Sequence, residues 1–387
     1  MALDGKTVLV TGATGCIGGR LIEKLFLEQR ANVRVLVRDL GRMPRIARFP
    51  IEWMKGDIID PAVVQQAVRG CEVVFHCAYD FGAARDGQRA TAILGTRNVA
   101  EAVLRAGVPR LVHVSSLAVY GAISDGELTE LSLWRKTASR YAQLKRAAER
   151  LVLNLYREKG LPVVVLQPTL VYGPFSSQWT IGPSLQLKTG RVPLVDGGGG
   201  LCNAVYVDDV VDALLLAARQ PQVLGETFLI SGDQPVTWRR FYGAYEAALG
   251  VEATVDISEQ DLREAMKKHA RDGGTFTAMM RSPIVFSELA KLPIVQISLR
   301  TLKACLSQDQ WRSLKDRVFG CPTRNGKENA SLVKPLHIPD ESLLALYHSQ
   351  ARVRVEKANQ RLGYVPKFSF EQGMDRTQRF LHWANLA

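Results

Sequence analysis

Residues 6–18 read KTVLVTGATGCIG: a β-branched apolar run followed at once by glycines 12, 15 and 18. The run Lys6–Thr11 predicts a strand, and Cys16–Gln29 predicts a helix. The glycines therefore fall in the turn between them. A turn of this kind lets the backbone approach a pyrophosphate closely. The helix that follows offers unpaired N–H groups and the favourable end of its dipole. Glycines at this spacing are weak evidence alone and strong evidence between a strand and a helix. Gly12, Thr14, Gly15, Cys16, Ile17 and Gly18 are accordingly expected to seat a dinucleotide.

The pattern repeats outward from this turn. Strands are predicted at Val33–Val37, Ile51–Lys55, Glu72–Cys77, Arg110–Ser115 and Val163–Gln167. Helices are predicted from Pro61 to Val68, Gln88 to Ala106 and Thr137 to Lys159, with Asp60 and Pro61 opening the first of them. Alternating helices and continuously apolar strands predict a doubly wound α/β fold, a Rossmann-type parallel sheet covered on both faces. The expected division is a dinucleotide-binding domain over 1–173, its sheet completed by parts of 204–232. A smaller, largely helical C-terminal substrate lobe follows over 174–387. It includes a basic helical insertion at about 258–345, where the alternation breaks.

Composition narrows the function classes. The chain has 387 residues, 47% of them hydrophobic and 23% charged, which excludes wholesale disorder and fibrous architectures. Its six cysteines form no Cys-x-x-Cys pair, so neither a zinc ribbon nor a disulfide scaffold is expected, and no metal site is predicted. There is no signal-peptide pattern and no apolar run long enough to span a bilayer, so a cytoplasmic location is expected. The net charge is +12, and residues 263–334 hold 14 Lys/Arg against 6 Asp/Glu. No aromatic platform or recognition-helix motif accompanies that charge, so nucleic acid is not an expected partner.

The strand ends carry the chemistry. The second strand ends at Arg38-Asp39, where a guanidinium can grip a 2′-phosphate bidentately, which favours NADP(H) over NAD(H). A solvated Arg38 with Asp39 turned inward is the competing reading. Asp57-Ile58 follows the third strand, where a carboxylate suits either the adenine amino group or a turn ahead of the next helix. Ser116 lies just past the fifth strand, and Tyr141 and Lys145 are four apart on one helix face. The expectation is that the Lys145 ammonium lowers the Tyr141 pKa, so that Tyr141 exchanges a proton with a substrate oxygen that Ser116 orients.

These pieces together resemble the extended short-chain dehydrogenase/reductase family, the NAD-dependent epimerase/dehydratase-like enzymes. TGATGCIG (11–18), GDI (56–58), HCA (76–78), GTRNV (95–99), LVHVSSLAVYG (111–121), YAQLK (141–145), QPTLVYGP (167–174) and VYVDDVVDALLLA (205–217) all match. KANQRLGYVPKFSFEQGM (357–374) resembles the family's C-terminal element. The resemblance implies Ser116, Tyr141 and Lys145 as the catalytic triad. It also implies that Tyr141 and Lys145 contact the cofactor, that Cys77 and Ala78 line its path, and that Pro168 lines the nicotinamide pocket. A homodimer is implied by the same analogy.

Three positions depart from the family pattern. Ala92 stands where many relatives carry Asn, and Gln167 where an Arg often precedes Pro. Cys202-Asn203 stands where nucleotide-sugar enzymes usually place a diphosphate-clamping Arg, and a thiol cannot replace a bidentate cation. The sequence therefore predicts an NADP(H)-preferring oxidoreductase acting on a hydroxyl or ketone carbon of a small organic substrate, with NAD(H) as the other cofactor. A nucleotide-sugar epimerase or dehydratase with tightly held NAD, and a cofactor-sensing binding protein, remain the alternatives. For the basic stretch 263–334, a lid for anionic substrates, a peripheral membrane surface using the apolar stripe Leu292–Leu306, and a packed insertion with solvated charges stay open.

Overall fold

Alternate residues of the first strand are buried on opposite sides of a sheet, and the two-sided core follows from that. A computed structural model of the chain describes residues 3–271 and 334–387. Seven strands form one parallel sheet: β1 (Thr7–Thr11), β2 (Asn32–Val37), β3 (Glu52–Lys55), β4 (Val73–His76), β5 (Leu111–Val114), β6 (Val163–Pro168) and β7 (Thr227–Ile230). Their spatial order is β7-β6-β5-β4-β1-β2-β3. The chain winds outward from β1 in one direction through β2 and β3, then in the other from β4. The switch point lies between β1 and β4, and ligands of such sheets bind at its C-terminal edge.

Val8 and Val10 of β1 face one side, among Leu21, Ile22 and Leu25 of α1 (Cys16–Leu27). Val210, Val211 and Leu214 of a later helix, Val207–Arg219, close the same layer. Leu9 faces the other side, with Val64 and Val68 of α2 (Pro61–Val68), Val99 and Val103 of α3 (Thr96–Ala106), and Val152 and Leu155 of α4 (Arg140–Lys159). Each such aliphatic side chain contributes about 1.5–3 kcal/mol by leaving water. Register is fixed by the same alternation, since a one-residue slip would turn every buried valine outward.

Local signals set the helix boundaries. Asp60 accepts from the Ala62 and Val63 amides, with Pro61 in the first turn of α2. α4 begins at Arg140 rather than Thr137, because the Ser139 hydroxyl caps the Ala142 amide. The predicted helix 88–106 instead starts at Arg85, passes through a π-helical turn at Ala90–Gly95 and continues as α3.

By packing, the described residues fall into two units. The larger comprises Met1–Ser184, Gly198–Gly250 and Glu341–Ala387. Within it β7 pairs with β6, the helix Val207–Arg219 fills one core layer, and Leu362 and Tyr364 join that layer. The smaller unit, Leu185–Gly197 with Val251–Asp340, contains a parallel strand pair, Val192–Val195 with Thr254–Ile257, and the helix Glu259–Arg271. The apolar stripe Leu292–Leu306 and most of the basic stretch 263–334 lie outside the described residues. Among the described residues, no helix is long and apolar enough to cross a membrane.

Candidate active site

Every predicted site residue of the larger unit lies at the C-terminal edge of the sheet or on α4. The glycine turn leaves β1 with Gly12 at φ +72°. A Cβ at Gly12 would meet the Cys77 carbonyl and the Ala78 amide at 2.7 Å. A Cβ at Gly18 would lie 2.2 Å from the Gly12 oxygen, so that glycine lets α1 close against the turn. Gly15 differs: its Cβ would meet only the Gly12 oxygen, at 3.3 Å, leaving an open side. Among the described residues no side chain caps α1, and its first turn carries no acidic residue. The exposed backbone and free amides fit a dinucleotide pyrophosphate. Cys16 is not a reactive thiol: its Sγ donates to the Pro174 carbonyl at 3.3 Å, and burial pushes it up to about 12.

The residues expected to meet adenosine lie on β2, β3 and the segment after β4. Arg38 at the end of β2 pairs with Asp80 at 2.7 Å and lies 3.7 Å from Asp57. Asp39 turns away, accepting from the Gly41 amide. Asp57 accepts from the Ile59 amide, which makes it a turn former as well as a neighbour of Arg38. Ile58 is buried, and the side-chain amide of Asn98 donates to the Ile58 and Ile59 carbonyls at 3.0 and 2.9 Å. Asn98 thus fixes the Asp57–Ile58 loop. It lies within the quoted GTRNV motif, but its spacing alone assigns it no partner. Cys77 lies directly past β4, its amide bonded to the Thr11 carbonyl, and Pro168 ends β6, opposite Ile230.

The expected catalytic residues come from the end of β5 and from α4. Ser116 follows β5 by two residues, its Oγ accepts from the Ala118 amide, and its hydroxyl is close enough to Tyr141 to lower that residue's pKa. Lys145, one turn along, is buried and donates to the Val114 carbonyl at 2.9 Å. Its Nζ stands 6.0 Å from the Tyr141 ring centre and 5.1 Å from that of Tyr79. Tyr79 meets Tyr141 edge-on at 5.0 Å, and Phe81 stacks on it at 5.4 Å. These aromatics were missed in the sequence because nothing in the loop after β4 has a period.

The expected downward shift of Tyr141 is corrected by this environment. Desolvation pushes its hydroxyl up to about 12, outweighing the lowering by Ser116. Burial lowers Lys145 to about 8, with Cys77 and then Glu149 acting the other way. Sequence spacing registers the nearby ammonium but not the removal of water.

A buried polar network lies beneath Lys145. Glu149, a further turn along α4, accepts from Ser115 Oγ at 2.5 Å and from Gln167 Nε2 at 2.8 and 3.0 Å. Gln167 in turn accepts from the Tyr120 hydroxyl at 2.8 Å. Burial raises the Glu149 carboxyl above its usual range. This explains the unusual Gln167, which meets Tyr120 and Glu149 simultaneously with its amide. Glu149 was legible in principle as the next i+4 position after Tyr141 and Lys145.

Other candidates have structural employment. His76 bonds Thr11 Oγ1 at 2.7 Å and Thr96 Oγ1 at 2.9 Å. Asn203 donates to the Ala351 carbonyl and accepts from the Val353 amide, tying down the C-terminal segment, while Cys202 is buried. Ala92 is buried in the π-helical turn. Phe175 packs on Phe380 and under Arg45, and Trp179 on Trp238. Trp134 lies beneath Arg146 and Arg150.

A Rossmann sheet, a glycine turn at its switch point, and Ser, Tyr and Lys grouped at the same edge define a dinucleotide-dependent α/β enzyme. The profile of the NAD dependent epimerase/dehydratase family matches residues 8–231, more than half of the chain. The chain belongs to that family, within the extended short-chain dehydrogenase/reductases, and is an NAD(P)-dependent enzyme. It is 32% identical over 237 residues to a putative dihydroflavonol 4-reductase of Synechocystis sp., covering 58% of this chain and 65% of that one. It is 26% identical over 266 residues to a 2-alkyl-3-oxoalkanoate reductase of Shewanella oneidensis, covering 65% and 68% of the two chains. The matched stretch thus spans about two thirds of these relatives. In fold it is similar to the dTDP-glucose 4,6-dehydratase DesIV of Streptomyces venezuelae, solved with NAD bound: the TM-score is 0.67 at 20% identity, over 97% of each chain.

Proposed function

We propose that the protein is an NADP(H)-preferring oxidoreductase that interconverts a ketone and a secondary alcohol on a small organic substrate. The observation that carries the reading is the grouping of Ser116, Tyr141 and Lys145, with a protonated Tyr141. A hydroxyl held near 12 keeps its proton at neutral pH and can donate it to an alkoxide as that forms. Ser116 Oγ would donate to the same oxygen, and Lys145 stays largely charged below about 8. A bound reduced nicotinamide would supply the hydride to the carbonyl carbon. The chain's own part is to hold the carbonyl and deliver the proton. Arg38, at the end of β2, supports the choice of NADP(H).

Two relatives carry reductase names, one of them for a 3-oxoalkanoate, which supports the substrate class. The nucleotide-sugar alternative is disfavoured by Cys202 and Asn203, since Asn203 has both ends of its amide engaged with the C-terminal segment. The test is NADPH consumption by the full chain over a panel of 3-oxoacyl, aryl and cyclic ketones. The reading expects turnover that Tyr141→Phe reduces by about a hundred-fold or more while NADPH affinity holds. Undiminished turnover by Tyr141→Phe would overturn it.

A further inference from the structure

Asp80 connects two parts of the site that are otherwise separate. Its Oδ2 takes the Arg38 guanidinium at 2.7 Å, while its Oδ1 caps the Gly82 and Ala83 amides at 3.1 Å. Its neighbours in sequence, Tyr79 and Phe81, are the two rings packed on Tyr141. The far end of the same segment is held as well, since Arg140, beside Tyr141 on α4, donates to the Arg85 carbonyl. In the sheet, β1 lies between β2 and β4. A bridge from Arg38 to Asp80 therefore passes over the end of β1, where the glycine turn begins. An adenosine 2′-phosphate directed to Arg38 must compete with the Asp80 carboxylate for one guanidinium.

We propose that Asp80 is a specificity-determining residue: it occupies Arg38 in the free protein, and a 2′-phosphate displaces it, loosening Tyr79 and Phe81 from Tyr141. NAD(H), lacking that phosphate, leaves the bridge intact and the catalytic tyrosine covered. Discrimination between the cofactors then has two components, direct pairing with Arg38 and uncovering of Tyr141. This rests on the assignment of Arg38 to the 2′-phosphate.

The experiment is a calorimetric cycle on the full chain with NADP+ and NAD+, using wild type, Asp80→Asn, Arg38→Ala and the double variant. Asparagine keeps the Oδ1 cap, so the turn at 80–83 is retained, and removes the charge that tethers it to Arg38. Asp80→Asn is expected to tighten NADP+ by roughly three- to five-fold, the scale of a half-exposed ion pair, and to leave NAD+ unchanged. In the Arg38→Ala background the same change should have no effect. Hydrogen exchange across residues 79–85 should rise with NADP+ and not with NAD+. Equal tightening of both cofactors, weaker NADP+ binding, or exchange that falls with NADP+ would overturn the proposal. The underlying assignment has its own readout: it fails if Arg38→Ala alone leaves NADP+ affinity untouched.

Discussion

Replacing His113 by Phe should stabilise this protein and remove half of a distinct acid sensitivity. His113 lies on β5 directly opposite His76 on β4, with the rings 5.3 Å apart. Neither ring nitrogen of His113 reaches a hydrogen-bond partner among the described residues. Burial lowers its pKa well below 6.5, helped by His76 and Lys145, and burial with Lys145 lowers His76 to about 3. Both are therefore neutral when folded and take up protons on unfolding below 6.5. For folded-state pKa values that are depressed, this stability is complete above the unfolded value and is lost as pH falls. Each histidine's slope approaches about 1.4 kcal/mol per pH unit below that value, so roughly 3 kcal/mol disappears between about pH 6.5 and pH 5. His113→Phe should halve that loss. At about pH 7.5 it should also add roughly 1–2 kcal/mol, because two uncompensated buried polar atoms go, offset in part by the larger ring. Urea unfolding of both proteins across this pH range measures it. An unchanged pH slope, or destabilisation at about pH 7.5, would refute the reasoning.

The glycine turn separates binding from folding. Gly15→Ala should fold normally and lose cofactor affinity by about ten-fold or more. Gly18→Ala should lose about 3 kcal/mol of stability, because its Cβ meets backbone at 2.2 Å; thermal unfolding beside cofactor titration distinguishes them. Carbonyl reduction should be flat near neutrality and fall as pH rises through about 8, where Lys145 loses its charge, well before Tyr141 titrates near 12; a pH–rate profile under saturating substrate reads it. Gln167→Leu strips Tyr120 and Glu149 of a buried partner, and denaturant unfolding should show a loss of about 3 kcal/mol.

The sheet could be read from the chain because its information is local and periodic. Val8, Leu9 and Val10 each carry one bit of burial, and Gly12 and Gly18 mark where backbone meets backbone. Tyr141 and Lys145 were legible for the same reason, being one helical turn apart. What escaped depends on through-space contacts between distant segments. Asp80 finds Arg38 across forty-two positions, and Tyr79 and Phe81 find Tyr141 from the loop after β4, where no periodicity announces an orientation. Gln167 looked anomalous until Tyr120 and Glu149 appeared on either side of it. The Tyr141 shift was read with the wrong sign because spacing records the neighbouring charge, whereas desolvation is a property of the packed loop above it.

The most direct test of the central claim is a stoichiometry. A ketone turned over in the NADPH panel would be mixed with limiting NADPH carrying deuterium at the transferable position, and both products would be analysed. Net reduction predicts one NADP+ released per alcohol formed, deuterium on the carbinol carbon, and loss of both signals in Tyr141→Phe. Product formed without net cofactor oxidation would contradict the account and favour a recycling epimerase or dehydratase.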